Sequence, residues 1–167
     1  MLKKALKLFL TNKQSLSLRD KFLPLILILI GTVSWSLTMV KSGWIYGYGM
    51  GFWGANGHDG IWHISLINSL SSGSFNMPVF AGGVIKNYHL GFDLIVALTH
   101  VLTKIPTVNL YFQVFPPILA LLVGISVYAF IFEWKKSKLA ALLATFFVYF
   151  GGDISWVLGR GESTFWG

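Results

Sequence analysis

The stretch Leu90–Thr103 (LGFDLIVALTHVLT) decides how the chain is organised. It is an apolar run of 14 residues that carries Asp93 and His100. A helix that spans a bilayer needs about 20 apolar residues, and runs of about 10–14 are more often interfacial, re-entrant or buried in protein. If this run crossed the membrane, the basic turn Glu133-Trp134-Lys135-Lys136-Ser137-Lys138 would fall on the outer side. That placement opposes the positive-inside bias. If it does not cross, the N-terminus and the basic turn are both inside, and residues 41–107 form an outer loop. Length and charge agree on the second scheme.

The flanking runs support it. Phe22–Val40 is 19 residues without a charge, which as a helix covers about 28 Å of the roughly 30 Å hydrocarbon core. Pro24 falls in the first turn of that run, where a missing N–H costs little. A cleaved signal peptide is the rival reading, but Ser34-Trp35-Ser36 is a poor cleavage site. Val108–Phe132 is long enough to span, with Asn109, Gln113 and Pro116-Pro117 in its first half. Leu139–Leu158 is the last apolar run, interrupted by Gly151-Gly152-Asp153.

Composition agrees with lipid as solvent. Hydrophobic residues make up 54% and charged residues 11%, against about 25% charged in soluble domains. The net charge of +7 is not a nucleic-acid footprint. Lys3, Lys4, Lys7, Lys13, Arg19 and Lys21 all precede the first apolar run, opposed only by Asp20. A nucleic-acid binder needs a basic face on a folded domain, so no nucleic-acid partner is expected. The chain has no cysteine, which excludes disulfides, thiolate metal sites and a cysteine nucleophile.

The expected fold is therefore an all-α integral membrane protein of the cell membrane, with membrane lipid as a partner. It has about three transmembrane helices (22–40, 108–132 and 139–158) and two juxtamembrane helices (59–71 and 89–103) in the first outer loop. Residues 1–21 form a basic cytoplasmic N-terminus, 133–138 a cytoplasmic turn and 159–167 an outer segment. The chain is expected to be part of a longer protein, since three spans do not easily enclose a lipid carrier.

Within the outer loop, Asp59 is placed to cap a helix running to about Ser71. Trp62, Leu66 and Leu70 form its apolar stripe, with Ile67 beside it, and Ser65, Asn68, Ser69 and Ser72 oppose them. Such a helix suits a membrane surface. Asp59 and His63 stand four apart, a spacing for a hydrogen-bonded pair, and His63 also sits among apolar neighbours that suit a packed histidine. In the next segment His89, Asp93, Ala97 and His100 share one helical face. That polar stripe either faces water or lines a cavity. Gly47, Gly49 and Gly51 do not make a phosphate loop, because no strand–loop–helix context surrounds them.

The stretch Gly57–Leu90 (GHDGIWHISLINSLSSGSFNMPVFAGGVIKNYHL) resembles the first outer loop of GT-C superfamily glycosyltransferases. It is similar to the protein-mannosyltransferase and lipid A aminoarabinose-transferase type. The matching features are Asp59 opening a juxtamembrane helix, the Ser72-Gly73 turn, the irregular Met77–Asn87 segment and His89-Leu90. Pro116–Phe150 resembles the helices that follow. Two positions depart from the pattern: Tyr88-His89-Leu90 stands for a His-Pro-Pro, and Gly60 for a second acid.

The resemblance implies a membrane glycosyltransferase that moves a sugar from a polyprenyl-phosphate donor to an acceptor on the outer face. Asp59 is then the candidate base or metal ligand, with Asp153 or Glu162 as the second acid. Lys86, Lys104 and Arg160 are candidate phosphate-facing cations, and His58, His63 and His89 are secondary polar candidates. A divalent cation is the cofactor such chemistry would use; the sequence names none. The alternative is a transporter or lipid-handling subunit in which Asp93, His100 and Asp153 form an ion path, or a purely structural assembly partner. Asp59 could equally be only a helix cap.

Overall fold

The structure is a computed structural model that describes residues 18–152, with side chains from 22 onward. It is mostly helical. The five helices are α1 (Leu18–Leu37), α2 (Asp59–Ser71), α3 (Gly91–Thr103), α4 (Thr107–Lys135) and α5 (Lys138–Phe150). The chain divides into two compact units, one built from residues 18–37 and 117–152, the other from Thr38–Pro116.

In the first unit, α1 begins earlier than the sequence reading placed it, so Pro24 lies inside the helix rather than in its first turn. There the missing N–H leaves a carbonyl one turn earlier without its intrahelical partner. The helices meet around Tyr149 of α5. Its hydroxyl donates to the Ala120 carbonyl at 2.7 Å, and its own carbonyl accepts from the Trp35 indole at 2.9 Å. Gly31 and Gly124 make room for the ring: a Cβ on Gly31 would lie 2.3 Å from it, and one on Gly124 2.1 Å from its hydroxyl. Small residues that admit a large neighbour, joined by interhelical hydrogen bonds, are the usual way apolar helices hold together in lipid. Ile28, Tyr128 and Ala141 complete the buried core. Phe22, Leu25, Ile26, Leu29, Ile30 and Val33 of α1 remain exposed, as do Phe146 and Phe147 of α5.

Among the described residues one helix, α4, is long and apolar enough to cross a membrane: it has 29 residues, and an 18-residue stretch of it has mean hydropathy 2.3. Its length is about 44 Å. Phe22–Leu37, α3 and α5 are shorter apolar helices. α5 stops at Phe150, with Gly151 as its C-cap, so 139–158 is not one continuous helix. Ser137 caps its start by accepting from the Ala140 N–H.

Within α4, Leu110–Val114 forms a π-helical turn, in which the Phe115 N–H bonds to the Leu110 carbonyl. Pro116 and Pro117 account for it. Neither supplies an N–H to the preceding turn, and their rings crowd the carbonyls four residues back. A local π-turn relieves that crowding.

The second unit departs from an all-α fold. Trp44–Tyr46 (β1) and Gly49–Gly51 (β2) pair antiparallel, with Ile45 opposite Met50, across the two-residue Gly47-Tyr48 loop. The glycines that make no phosphate loop serve a hairpin instead. Gly49 takes φ +121°, a conformation open to glycine, while the aromatic residues around it favour extended backbone.

Gln113 of α4 ties the segment before the hairpin in place by donating to the Val40 and Ser42 carbonyls at 2.9 and 2.7 Å. Asn56 reinforces that segment through the Thr38 carbonyl and the Ser42 hydroxyl. An open hollow of about 490 Å³ lies between the hairpin and the start of α4, lined by Trp44, Ile45, Met50, Pro106 and Val108.

α2 and α3 pack on each other and on α4. Ile67, Leu70, Val96, Ala97 and Leu110 form the core. The stripe expected on α2 is thus real, but α3 covers it, so Leu66, Ile67 and Leu70 are not free for a bilayer surface. Residues 75–87 are irregular apart from one bridge between Asn76 and Val84. At 13 residues α3 spans about 20 Å, short of the hydrocarbon core.

Candidate functional site

Asp59 is the first residue of α2, and its carboxylate is 69% exposed. It does not cap the helix. His58 occupies the N-cap position but makes no side-chain capping bond to the helix backbone. The His58 Nδ1 lies 2.8 Å from Asp59 Oδ1, so the adjacent imidazole takes the carboxylate that a capping bond would have used. An acid in the first turn still sits at the positive end of the helix dipole.

The expected Asp59–His63 pair is absent too. His63 Nδ1 lies 2.9 Å from Asp93 Oδ1, joining α2 to α3 across thirty positions of sequence. Asp93 is fully buried, and His63 is 20% exposed. A carboxylate only accepts hydrogen bonds, so His63 is assigned its proton on Nδ1. The second oxygen, Asp93 Oδ2, is buried without a hydrogen-bond partner among the described residues. The polar stripe expected along residues 89–103 is therefore divided, with His89 exposed. Asp93 turns into the helix interface, and the His100 Nδ1–H donates to the Ile105 carbonyl at 2.7 Å, closing the end of the helix.

Aromatic rings surround the pair. Tyr111, on the π-turn of α4, stacks on His63 at 5.8 Å and 18°. Its side chain is within electrostatic reach of both Asp93 and Asp59. Tyr88 and His89 stack on each other at 4.4 Å, and each lies beside His63, at 6.3 and 6.4 Å. The Trp62 indole donates to the Tyr88 hydroxyl at 2.9 Å. Gly60 lets α4 approach, since a Cβ there would lie 2.7 Å from Phe112.

Of the residues named from the sequence, the structure gathers His58 with Asp59 and His89 with His63. Lys86 is exposed on the loop leading to Tyr88-His89. Lys104 caps the far end of α3 in a left-handed conformation, about 20 Å along the helix from the Asp93 end. Asp153, Glu162 and Arg160 lie outside the described residues. Among the described residues, no group of three or more histidine or acidic side chains could hold a metal ion. Sequence reasoning misses Tyr88 and Tyr111, gives Asp93 only to the ion path of the alternative reading and His63 only a secondary place, because their meeting depends on the packing of α2, α3 and α4. No protein-family model matches the chain, and no curated protein or solved structure does either.

Proposed function

We propose that Thr38–Pro116 is the acceptor-side unit of a membrane glycosyltransferase, and that Asp59 is its general base. The observation that carries this reading is an exposed carboxylate at the first turn of α2, oriented by His58 at 2.8 Å and unused by the fold. As the acceptor hydroxyl attacks the anomeric carbon, its proton passes to Asp59. The new bond joins the acceptor oxygen to the sugar. The bond from that carbon to the phosphate oxygen breaks, and its electron pair stays on the phosphate. A cation eases the charge that builds there, and Lys86, exposed two positions before Tyr88, is the candidate.

Three further features support the reading. The chain has a span-length helix and exposed aliphatic faces on α1 and α5. Its basic residues cluster before the first apolar run. Gly57–Leu90 resembles the outer loop of GT-C enzymes.

The test is sugar transfer by the full-length protein in proteoliposomes supplied with a polyprenyl-phosphate hexose. Asp59→Asn preserves shape and hydrogen bonding but cannot take a proton, and transfer should fall about 100-fold or more. Transfer at the wild-type rate would remove Asp59 from the mechanism.

A further inference from the structure

We propose that His63 is a sugar-hydroxyl-binding residue, with Asp93 as its positioning residue. The inference rests on the transferase reading for the identity of the ligand. The geometry behind it is independent of that reading.

Asp93 is an expensive residue to place where it is. A buried carboxylate is costly to desolvate and repays this only when its oxygens are satisfied. Here one oxygen meets His63 and the other meets nothing among the described residues. An apolar residue would fill the α2–α3 interface at no such cost. What the carboxylate does accomplish is to fix an imidazole. In the neutral imidazole, an Nδ1–H held by Asp93 leaves Nε2 without a proton, as an acceptor with a set direction. Nε2 has no partner among the described residues, and the ring is 20% exposed.

The surroundings suit a sugar. Beside His63, half-buried Tyr88 and exposed His89 are flat rings of the kind against which the C–H side of a pyranose can lie. Trp62 satisfies the acceptor side of the Tyr88 hydroxyl, which frees that hydroxyl to donate. Asp59 lies one helical turn before His63 on the same face of α2, so a sugar held at Nε2 is presented to the proposed base. The titratable groups that face His63 are Asp93 from α3, Tyr88 and His89 from the loop, Tyr111 from α4 and Asp59 from its own helix.

Nitrogen-15 NMR of the histidine rings, in the full-length protein in nanodiscs, reads this directly. His63 should carry its proton on Nδ1 with Nε2 bare, and Asp93→Asn should abolish that preference. A proton on Nε2 in the wild type, or an unchanged ring in the variant, overturns the proposal. Addition of a polyprenyl-phosphate hexose should move the Nε2 resonance, while the same lipid phosphate without sugar should not. Asp93→Asn should weaken hexose-lipid binding about tenfold, the worth of one hydrogen bond. If both lipids move Nε2 alike, the contact is with phosphate or lipid and the sugar assignment is wrong. If Trp62 and Tyr88 respond to the hexose lipid and His63 does not, the proposal fails and the transferase reading stands. If nothing responds, both fall.

Discussion

The His63–Asp93 pair is unequal, and that inequality makes a quantitative prediction. His63→Leu strands Asp93, a fully buried carboxylate, with neither oxygen bonded. Leaving a buried charged group with no hydrogen-bond donor costs roughly 3 kcal/mol or more. Asp93→Leu leaves the other partner, an imidazole that is 20% exposed and can turn its Nδ1–H toward water. It also removes an unsatisfied oxygen from the interface. The net loss is then about one ordinary hydrogen bond, roughly 1 kcal/mol.

For a chain of this size, 1 kcal/mol moves the melting temperature by about 2–4 °C. His63→Leu should therefore lower it by roughly 10 °C, and Asp93→Leu by no more than about 4 °C. The double variant should resemble Asp93→Leu, because the stranded charge is gone. Thermal melts of the purified protein in one detergent, followed by tryptophan fluorescence, make the comparison. If His63→Leu is no worse than Asp93→Leu, the carboxylate is not buried as described and the reasoning is refuted.

Other consequences are independent of that pair. Gly124→Ala pushes a methyl group into the Tyr149 hydroxyl and should destabilise by about 1–3 kcal/mol, read as a lower melting temperature. Tyr149→Phe keeps the ring but loses the bond to Ala120, a smaller cost of roughly 1 kcal/mol; equal melting of both variants and the wild type would contradict the described packing. The chain has no cysteine, so single cysteines report topology in intact cells. With α3 not crossing, Lys104→Cys should react with a membrane-impermeant thiol reagent added from outside, and Lys135→Cys should not. The opposite pattern would reverse the proposed orientation.

Much of the helical content was legible because it rests on local rules. The α2 boundaries follow from polar residues around a stripe at 3.6 spacing, ended by Ser72-Gly73. The basic turn between α4 and α5 follows from its charges, and the interruption of the last apolar run from Gly151-Gly152. The failures are equally physical. Asp59 looks like a cap, but capping depends on which of two adjacent polar side chains the backbone turns inward, and His58 intervenes. The context of the glycines at 47, 49 and 51 excludes a phosphate loop, yet their use in a hairpin depends on residues 44–51 pairing across a turn. Pro116-Pro117 signals a distortion without revealing that a π-turn would set Tyr111 against His63. The pairing of His63 with Asp93 has no local signal at all. The same spacing that suggested a solvent-facing stripe on α3 places Asp93 against α2 once Ile67, Leu70, Val96 and Ala97 have packed.

The central claim is that Asp59 takes a proton in sugar transfer, and separating binding from turnover tests it most directly. With the full-length protein in proteoliposomes, dissociation constants for a polyprenyl-phosphate hexose and single-turnover transfer rates are measured for wild type and Asp59→Asn. A group that acts only on the reacting hydroxyl leaves donor binding within about threefold and removes about two orders of magnitude or more from turnover. Wild-type turnover by Asp59→Asn, or a loss explained wholly by weaker donor binding, would contradict the assignment.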